Sequence, residues 1–139
     1  MATTAHILVV DDDHLTLKVV EQILQRHGYQ VSTAINGAEG LELARELRPD
    51  LMILDMMMPV IDGYEVYRRM KSDARTADIA ILILSAIAEI DFPARIGSQP
   101  VAGGRSGQPY EAKSISINFL SKPIKAKELL ARVASLLSH

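Results

Sequence analysis

Short apolar runs alternate along the chain with stretches of helical periodicity. The apolar and β-branched runs predict five strands, at 6–10, 29–34, 51–54, 79–84 and 117–120. The amphipathic stretches predict four helices, at 14–28, 36–49, 62–73 and 125–139. In the second helix the spacing predicts that Leu41, Ala44 and Leu47 face inward. Strands that alternate with helices indicate an α/β fold with a parallel sheet.

The predicted fold indicates where a functional site lies. Right-handed crossovers leave few arrangements for five such units. In open parallel sheets, ligands bind beyond the carboxyl ends of the strands, where the strand order reverses. Residues that directly follow the strands are therefore the candidates for chemistry.

Composition narrows the class of protein. The chain has 139 residues, 48% hydrophobic and 23% charged, which suits one globular domain. Its net charge of -2 gives no indication of nucleic-acid or membrane-surface binding, and the lack of cysteine excludes disulfides and thiolate sites. No apolar stretch reaches the ~18 residues of a membrane span, and the start lacks a signal-peptide pattern, so we expect a cytoplasmic location.

Carboxylates concentrate at two of the strand ends. The first strand is followed by Asp11, Asp12 and Asp13, and the third ends in Asp55. Burying a carboxylate is costly unless it is paired or bound to a metal. Crowded carboxylates also repel one another unless a cation neutralises them, and oxygen ligands suit Mg²⁺ or Mn²⁺ better than zinc.

A hydroxyl and an ammonium group follow two further strands. Ser85 ends the fourth strand and Lys122 follows the fifth. Beside a cation, these groups suit a phosphoryl group, whose oxygens they would stabilise in the transition state. Asp55 would then be a nucleophile that forms an aspartyl phosphate.

Each of these residues alone has an ordinary structural explanation. Asp13 is best explained as a helix N-cap, and Asp11 or Asp12 taken singly fits a loop carboxylate equally well. Ser85 alone fits a strand-end hydroxyl, and Lys122 alone a solvated lysine. Their joint position at the carboxyl ends of separate strands favours a shared site.

Four motifs resemble the receiver domain of bacterial two-component response regulators, the CheY-like group. They are ILVVDD (7–12), MILDMMMPVIDG (52–63), ILSA (83–86) and FLSKPI (119–124). The resemblance implies one receiver domain over 1–139. It also implies a doubly wound, flavodoxin-like, five-stranded parallel sheet of order 2-1-3-4-5 with helices on both faces.

The resemblance also implies roles for the acidic residues. Asp55 matches the phosphoacceptor, and Asp11 and Asp12 match the acidic pair that holds Mg²⁺ together with Asp55. Met57 would contribute its backbone carbonyl to the metal.

For the other strand ends the resemblance implies a switch. Ser85 matches the hydroxyl that bonds the phosphoryl group, and Lys122 matches the lysine that pairs with it. Lys122-Pro123 resembles the family's cis peptide. Phosphorylation would move Ser85 and repack Phe119, although Phe119 fits an ordinary core position equally well.

The resemblance further implies partners. The phosphoryl donor would be a phosphohistidine on a histidine kinase or a histidine phosphotransfer protein. A downstream protein or a second copy of the chain would receive the signal, without direct contact with nucleic acid or membrane. Cognate kinase, output, oligomeric state and phosphate lifetime are left open, as is whether the chain is a stand-alone regulator or part of a longer protein.

The segment between strands four and five departs from the family pattern. It spans 86–116, or 31 positions, where one helix and two loops would need about 20. Its part 96–114 is rich in Gly, Ser, Pro and Gln, which predicts a flexible insertion. Pro93 interrupts the only helical stretch, so we expect an irregular or shortened fourth helix.

Two other functions remain as alternatives. One is a receiver used as a docking module without phosphorylation. The other is a metal-dependent phosphohydrolase with an aspartyl nucleophile, but such enzymes have a second acid two residues later, where this chain has Met57. The main hypothesis is a phosphoacceptor that is not an enzyme beyond Mg²⁺-dependent self-phosphorylation and self-dephosphorylation.

Overall fold

The structure is a computed structural model that describes residues 4–56, 58–85 and 118–138. The strands are β1 (His6–Val10), β2 (Gln30–Ala34), β3 (Leu51–Asp55), β4 (Ala80–Ser85) and β5 (Asn118–Ser121). The helices in the described residues are α1 (His14–Arg26), α2 (Gly37–Leu47), α3 (Gly63–Ser72) and α4 (Ala126–Leu137). Each element begins and ends within about two residues of its prediction. The predicted insertion at 96–114 and the predicted irregular helix between β4 and β5 lie outside the described residues.

All five strands run parallel in one sheet of order β2-β1-β3-β4-β5. This confirms the doubly wound order. The register brings Val10 beside Leu54 and Leu54 beside Ile83, and it places Ser85 beside Ser121. The carboxyl ends of β1, β3, β4 and β5 therefore share one edge of the sheet, which is called the carboxyl edge below.

The helices cover both faces of the sheet. Leu8 and Val10 of β1 belong to the core that packs against α2 and α3, whereas Ile7 and Val9 belong to the core beneath α1 and α4. Because the central strands are covered on both sides, their sequences are continuous apolar runs rather than alternating ones.

One inward-facing prediction is wrong. Leu41 and Ala44 of α2 are buried as expected, but Leu47 is 40% exposed. Leu47 is the last residue of α2, and Arg48 turns into the left-handed region with φ 47°. The final turn therefore leaves the sheet before Leu47 reaches the core.

Short polar side chains fix the starts of the helices at the carboxyl edge. The carboxylate of Asp13 accepts hydrogen bonds from the backbone N–H of Leu15 at 3.4 Å and from the Thr16 hydroxyl at 2.6 Å. Asp62 accepts from the N–H of Glu65 at 2.9 Å at the start of α3. The predicted N-cap role of Asp13 is confirmed, so its carboxylate stabilises the first turn of α1.

Gly63 holds the start of α3 against the end of β3. Its N–H donates to the Met56 carbonyl at 2.9 Å. A Cβ atom on Gly63 would collide with the Asp55 carbonyl oxygen and lie 2.7 Å from the Met56 Cα. Only glycine permits this approach, which fixes the backbone from the Asp55 carbonyl to Met56.

No helix in residues 4–56, 58–85 and 118–138 combines the length and apolar character that crossing a membrane requires.

Candidate functional site

Three carboxylates meet at the carboxyl edge and form the acidic cluster, which consists of Asp11, Asp12 and Asp55. Each offers an oxygen atom that lies within 4.8 Å of the oxygens offered by the other two. Asp11 and Asp55 are only 1% and 3% exposed, whereas Asp12 is exposed. The predicted gathering of these residues is therefore observed, with two buried acids and one acid open to solvent.

The chain that follows β1 orients Asp11. The backbone N–H of Asp13 donates to Asp11 Oδ1 at 2.8 Å, and Lys122 Nζ donates to Asp11 Oδ2 at 3.3 Å. Both carboxylate oxygens thus have a donor, which is how a buried carboxylate is tolerated.

Lys122 reaches two members of the acidic cluster from the end of β5. Its Nζ lies 3.3 Å from Asp11 Oδ2 and 3.4 Å from Asp55 Oδ1, and its side chain is 25% exposed. The peptide bond between Lys122 and Pro123 is cis, as the resemblance implied. Lys122 is thus brought into contact with Asp11 and Asp55, which lie far from it in the chain, as predicted for these three residues.

Burial and neighbouring charges have opposite effects on the pKa values of Asp11 and Lys122. Burial raises the pKa of Asp11, and the Asp13 N–H and the Lys122 ammonium offset that rise only in part. Burial lowers the pKa of Lys122, but the attraction of Asp55 and Asp11 outweighs burial, so this pKa is raised. The lysine stays charged, yet one ammonium does not balance three carboxyl groups.

The donor set of the acidic cluster suits a hard divalent cation. Three carboxyl groups offer oxygen ligands only, at mutual distances that one ion can span. Such an ion would supply the positive charge that Lys122 alone does not supply. The residues present therefore fit Mg²⁺ or Mn²⁺.

The remaining predicted residues lie close to this edge or outside the described residues. Ser85 is the last residue of β4, with its backbone beside Ser121. Phe119 in β5 is 4% exposed in the core beneath α2 and α3, and its carbonyl accepts from Arg132 Nη1 at 2.5 Å. Met57 lies outside the described residues.

Two contributions to the site were not predicted from the sequence. One is the N–H of Asp13 that orients Asp11, and the other is the close approach of Gly63 to Asp55. A signal for Gly63 was present, because a glycine directly after a helix N-cap such as Asp62 is unusual in a well-formed first turn.

Comparison with known proteins places the chain in a family. The model for the response regulator receiver domain matches residues 7–97. The chain is 38% identical over 131 residues to the "DNA-binding dual master transcriptional regulator RpaA" of Synechocystis sp., covering 94% of this chain and 48% of that protein. It thus spans about half the length of the curated relatives it matches.

Solved structures agree with the family assignment. A putative response regulator from Chloroflexus aurantiacus has a TM-score of 0.78 and 31% identity, covering 99% of this chain and 100% of that one. The receiver domain of the sensor histidine kinase PA1611 from Pseudomonas aeruginosa has a TM-score of 0.74 at 24% identity, covering 99% and 100%, and was solved with a magnesium ion in its active-site cleft. This chain belongs to the response regulator receiver domain family, whose members are phosphoacceptor domains of two-component signalling.

Proposed function

We propose that this chain accepts a phosphoryl group on Asp55 from a phosphohistidine of a histidine kinase or histidine phosphotransfer protein. The supporting observation is the position of Asp55. It lies at the end of the central strand β3, 3% exposed, inside the acidic cluster and 3.4 Å from the ammonium of Lys122. A buried carboxyl group that lies beside a lysine and two other acids suits a reactive role better than that of a solvated surface acid.

Asp55 suits the nucleophile's role better than its two acidic neighbours. Asp55 ends the central strand β3 beside the Lys122 ammonium and matches the phosphoacceptor position of the family motif, whereas Asp12 is exposed. In the proposed step a carboxylate oxygen of Asp55 forms a P–O bond as the P–N bond of phosphohistidine breaks. The bonding electron pair goes to the ring nitrogen, and a proton on the other ring nitrogen of the phosphohistidine lets the ring leave as neutral imidazole.

Asp11, Asp12 and Asp55 would hold Mg²⁺, with Mn²⁺ as an ion of the same ligand preference, and the backbone carbonyl of Met57 would complete the set. When bound, the ion supplies positive charge to the phosphoryl oxygens. The oxygen-only donor set of the acidic cluster supports this assignment. The magnesium ion in the PA1611 receiver domain is consistent with it.

Lys122 and Ser85 would stabilise the transferred group. The Lys122 ammonium already lies within 3.4 Å of Asp55 and can pair with a phosphoryl oxygen attached there. The Ser85 hydroxyl would donate to a second oxygen. Movement of Ser85 toward the phosphoryl group would then be transmitted to the buried Phe119 on the neighbouring strand β5 as the conformational switch.

The remaining assignments follow from this function. The partners would be the phosphohistidine protein and a downstream protein or second copy of the chain, without direct contact with nucleic acid or membrane. A cytoplasmic location fits the absence of cysteine. Catalysis would be limited to Mg²⁺-dependent gain and loss of the chain's own phosphoryl group.

Intact mass spectrometry after incubation with Mg²⁺ and phosphoramidate tests the proposal. We expect the wild type to gain one phosphoryl group and Asp55→Asn to gain none. No gain in the wild type, with circular dichroism showing an intact fold, would favour the docking-module alternative. Release of many phosphates per chain from a phosphomonoester would favour the phosphohydrolase alternative.

A further inference from the structure

The two outer strands of the sheet differ in how their edges are protected. A lysine and a proline directly follow β5, and its Phe119 carbonyl accepts a hydrogen bond from the side chain of Arg132. Charged side chains and proline are common protections at exposed strand edges. By contrast, β2 has the sequence QVSTA, with no charged residue and no proline, and its register against β1 runs over five pairs without a bulge. The β2 edge therefore lacks these protections.

Hydrogen bonds to the chain around β1 show which backbone groups of β2 point outward. The Gln30 N–H donates to the carbonyl just before β1 at 2.9 Å, and the Ala34 carbonyl accepts from the N–H just after β1 at 3.1 Å. In a parallel ladder, every second residue of a strand bonds to the same neighbouring strand. The N–H and C=O groups of Val31 and Thr33 therefore point away from β1, and no strand of the described residues lies on that side.

The open part of this edge is short. Before it, the Tyr29 N–H donates to the Leu24 carbonyl at 3.1 Å. After it, the Ile35 N–H donates to the carboxylate of Glu39 at 3.0 Å. A long extended peptide would find these donors already engaged at both ends of β2, so the edge suits a partner that needs only the two open residues.

We propose that the β2 edge pairs with the β2 edge of a second copy of this chain, antiparallel about a two-fold axis at Ser32. In this register Val31 of each copy lies opposite Thr33 of the other, and each such pair exchanges hydrogen bonds in both directions. Every outward N–H and C=O group of Val31 and Thr33 then has a partner in both copies. The same patch is used twice, as a two-fold interface requires.

The side chains of β2 favour a second copy as the partner. Because the strand carries no charge, identical strands meet without like-charge repulsion. Val31, Ser32 and Thr33 are each partly exposed, so the helices do not cover the edge. The same register brings Ile35 of one copy, which is 45% exposed, opposite Tyr29 of the other. So short a contact makes the dimer weak.

This inference goes beyond the proposed function and does not depend on it, because β2 contributes no residue to the acidic cluster. Charge variants at the two-fold axis test it. In Ser32→Lys or in Ser32→Glu, two like charges face each other directly across the axis. The matched controls are Ser121→Lys and Ser121→Glu, which make the same changes at an exposed serine in the other outer strand. Sedimentation equilibrium at rising protein concentration measures dimerisation, and circular dichroism shows whether each variant is folded.

We expect the wild type to form a weak dimer and each Ser32 variant alone to dimerise at least about tenfold more weakly. An equal mixture of Ser32→Lys and Ser32→Glu should dimerise again, because opposite charges then face each other at the axis. Both Ser121 variants should dimerise like the wild type.

Amide hydrogen exchange of the wild type, measured by NMR, tests the same pairing without any substitution. The N–H groups of Val31 and Thr33 should exchange more slowly as the protein concentration rises, because the second copy bonds them. The N–H of Ser32 already bonds to β1, so its exchange should depend much less on concentration.

Three results would overturn the inference. The first is a wild type that stays monomeric up to about 1 mM. The second is a dimer that neither Ser32 variant weakens. The third is exchange at Val31 and Thr33 that does not depend on protein concentration, including the case in which only an added extended peptide protects these two amides.

Discussion

Two clusters of charged side chains have similar distances between cation and carboxylate, but one has more carboxylates than cations and the other has more cations than carboxylates. In the acidic cluster, Lys122 lies 3.3 Å from Asp11, and both carboxylates that it contacts are almost fully buried. In the arginine–aspartate cluster, formed by Arg45, Asp73 and Arg75, Asp73 lies 3.3 Å from Arg45 and 2.9 Å from Arg75. Here one carboxylate has two cations, and all three side chains remain partly exposed.

The pKa values show what this difference means. Hydrogen bonds from Arg75, with help from Arg45, hold the pKa of Asp73 well below its usual range. Burial instead raises the pKa of Asp11 despite its contact with Lys122. The arginine–aspartate cluster is satisfied and ties α2 to the turn after α3. The acidic cluster has too little positive charge, which a divalent metal ion would supply.

The largest effect should come from removing the cation of the acidic cluster. Lys122→Met should slow loading from phosphoramidate by about 10²-fold, because the ammonium that stabilises the transferred oxygens is lost. Arg75→Met removes a cation from the other cluster and should leave loading unchanged. Rates are measured by intact mass against time, and equal slowing in the two variants would contradict a special role for Lys122.

The next largest effect should be on Mg²⁺ affinity, which should depend on the acidic cluster and not on the arginine–aspartate cluster. Asp12→Asn removes a charged ligand and should weaken Mg²⁺ binding at least about tenfold, whereas Asp73→Asn should not change it. Isothermal titration calorimetry of both variants measures this directly. Loss of affinity in Asp73→Asn alone would place the ion elsewhere.

Gly63→Ala should disturb the backbone at the acidic cluster and leave the other cluster intact. The added methyl group collides with the Asp55 carbonyl, so we expect a loss of about 1–3 kcal/mol in the free energy of unfolding. Chemical denaturation monitored by circular dichroism provides the value. Gly28→Ala is a useful comparison, since a Cβ there meets nothing within 4 Å and only the positive φ of 93° opposes it. A fully stable Gly63→Ala would show that α3 can move away from β3.

The two acids should give pH dependences of opposite sign in metal-free protein. Because the pKa of Asp73 is lowered on folding, its stabilisation is present above its unfolded pKa and is lost as pH falls through its folded pKa. Because the pKa of Asp11 is raised, its contribution to stability falls as pH rises from its unfolded to its folded pKa. Asp11→Asn should therefore raise the melting temperature at pH 7, and Asp73→Asn should lower it slightly.

Thermal melts in EDTA between pH 3 and pH 7 measure these small differences. Both differences should shrink toward pH 3, where the carboxyl groups of the unfolded chain become protonated. Destabilisation by Asp11→Asn at pH 7 would mean that its hydrogen bonds outweigh its burial.

The strands and the members of the acidic cluster were predictable because short stretches of sequence indicate them: apolar runs indicate buried strands, and the acids stand directly at the ends of such runs. A strand buried on both faces is a continuous apolar run, and Asp55 ends such a run. A parallel sheet then requires Asp11 and Lys122 to lie at the same edge as Asp55. The strand order itself came from the resemblance, since periodicity does not determine which strands are neighbours.

Other features depend on three-dimensional contacts that no local pattern records. Leu47 follows the helical period of its neighbours, but α2 ends before the side chain reaches the core. Val60 has a φ of 66°, in the left-handed region that a β-branched side chain disfavours, so its own preference could not predict this turn. The burial that raises the pKa of Asp11 likewise appears only in the three-dimensional structure.

Mapping the phosphorylated residue tests the central claim most directly. After incubation with phosphoramidate and Mg²⁺, borohydride reduction converts an aspartyl phosphate into homoserine, which peptide mass spectrometry locates. We predict homoserine at position 55, and none when EDTA replaces Mg²⁺. Homoserine at position 11 or 12, or at no position while the fold is intact, would contradict the account.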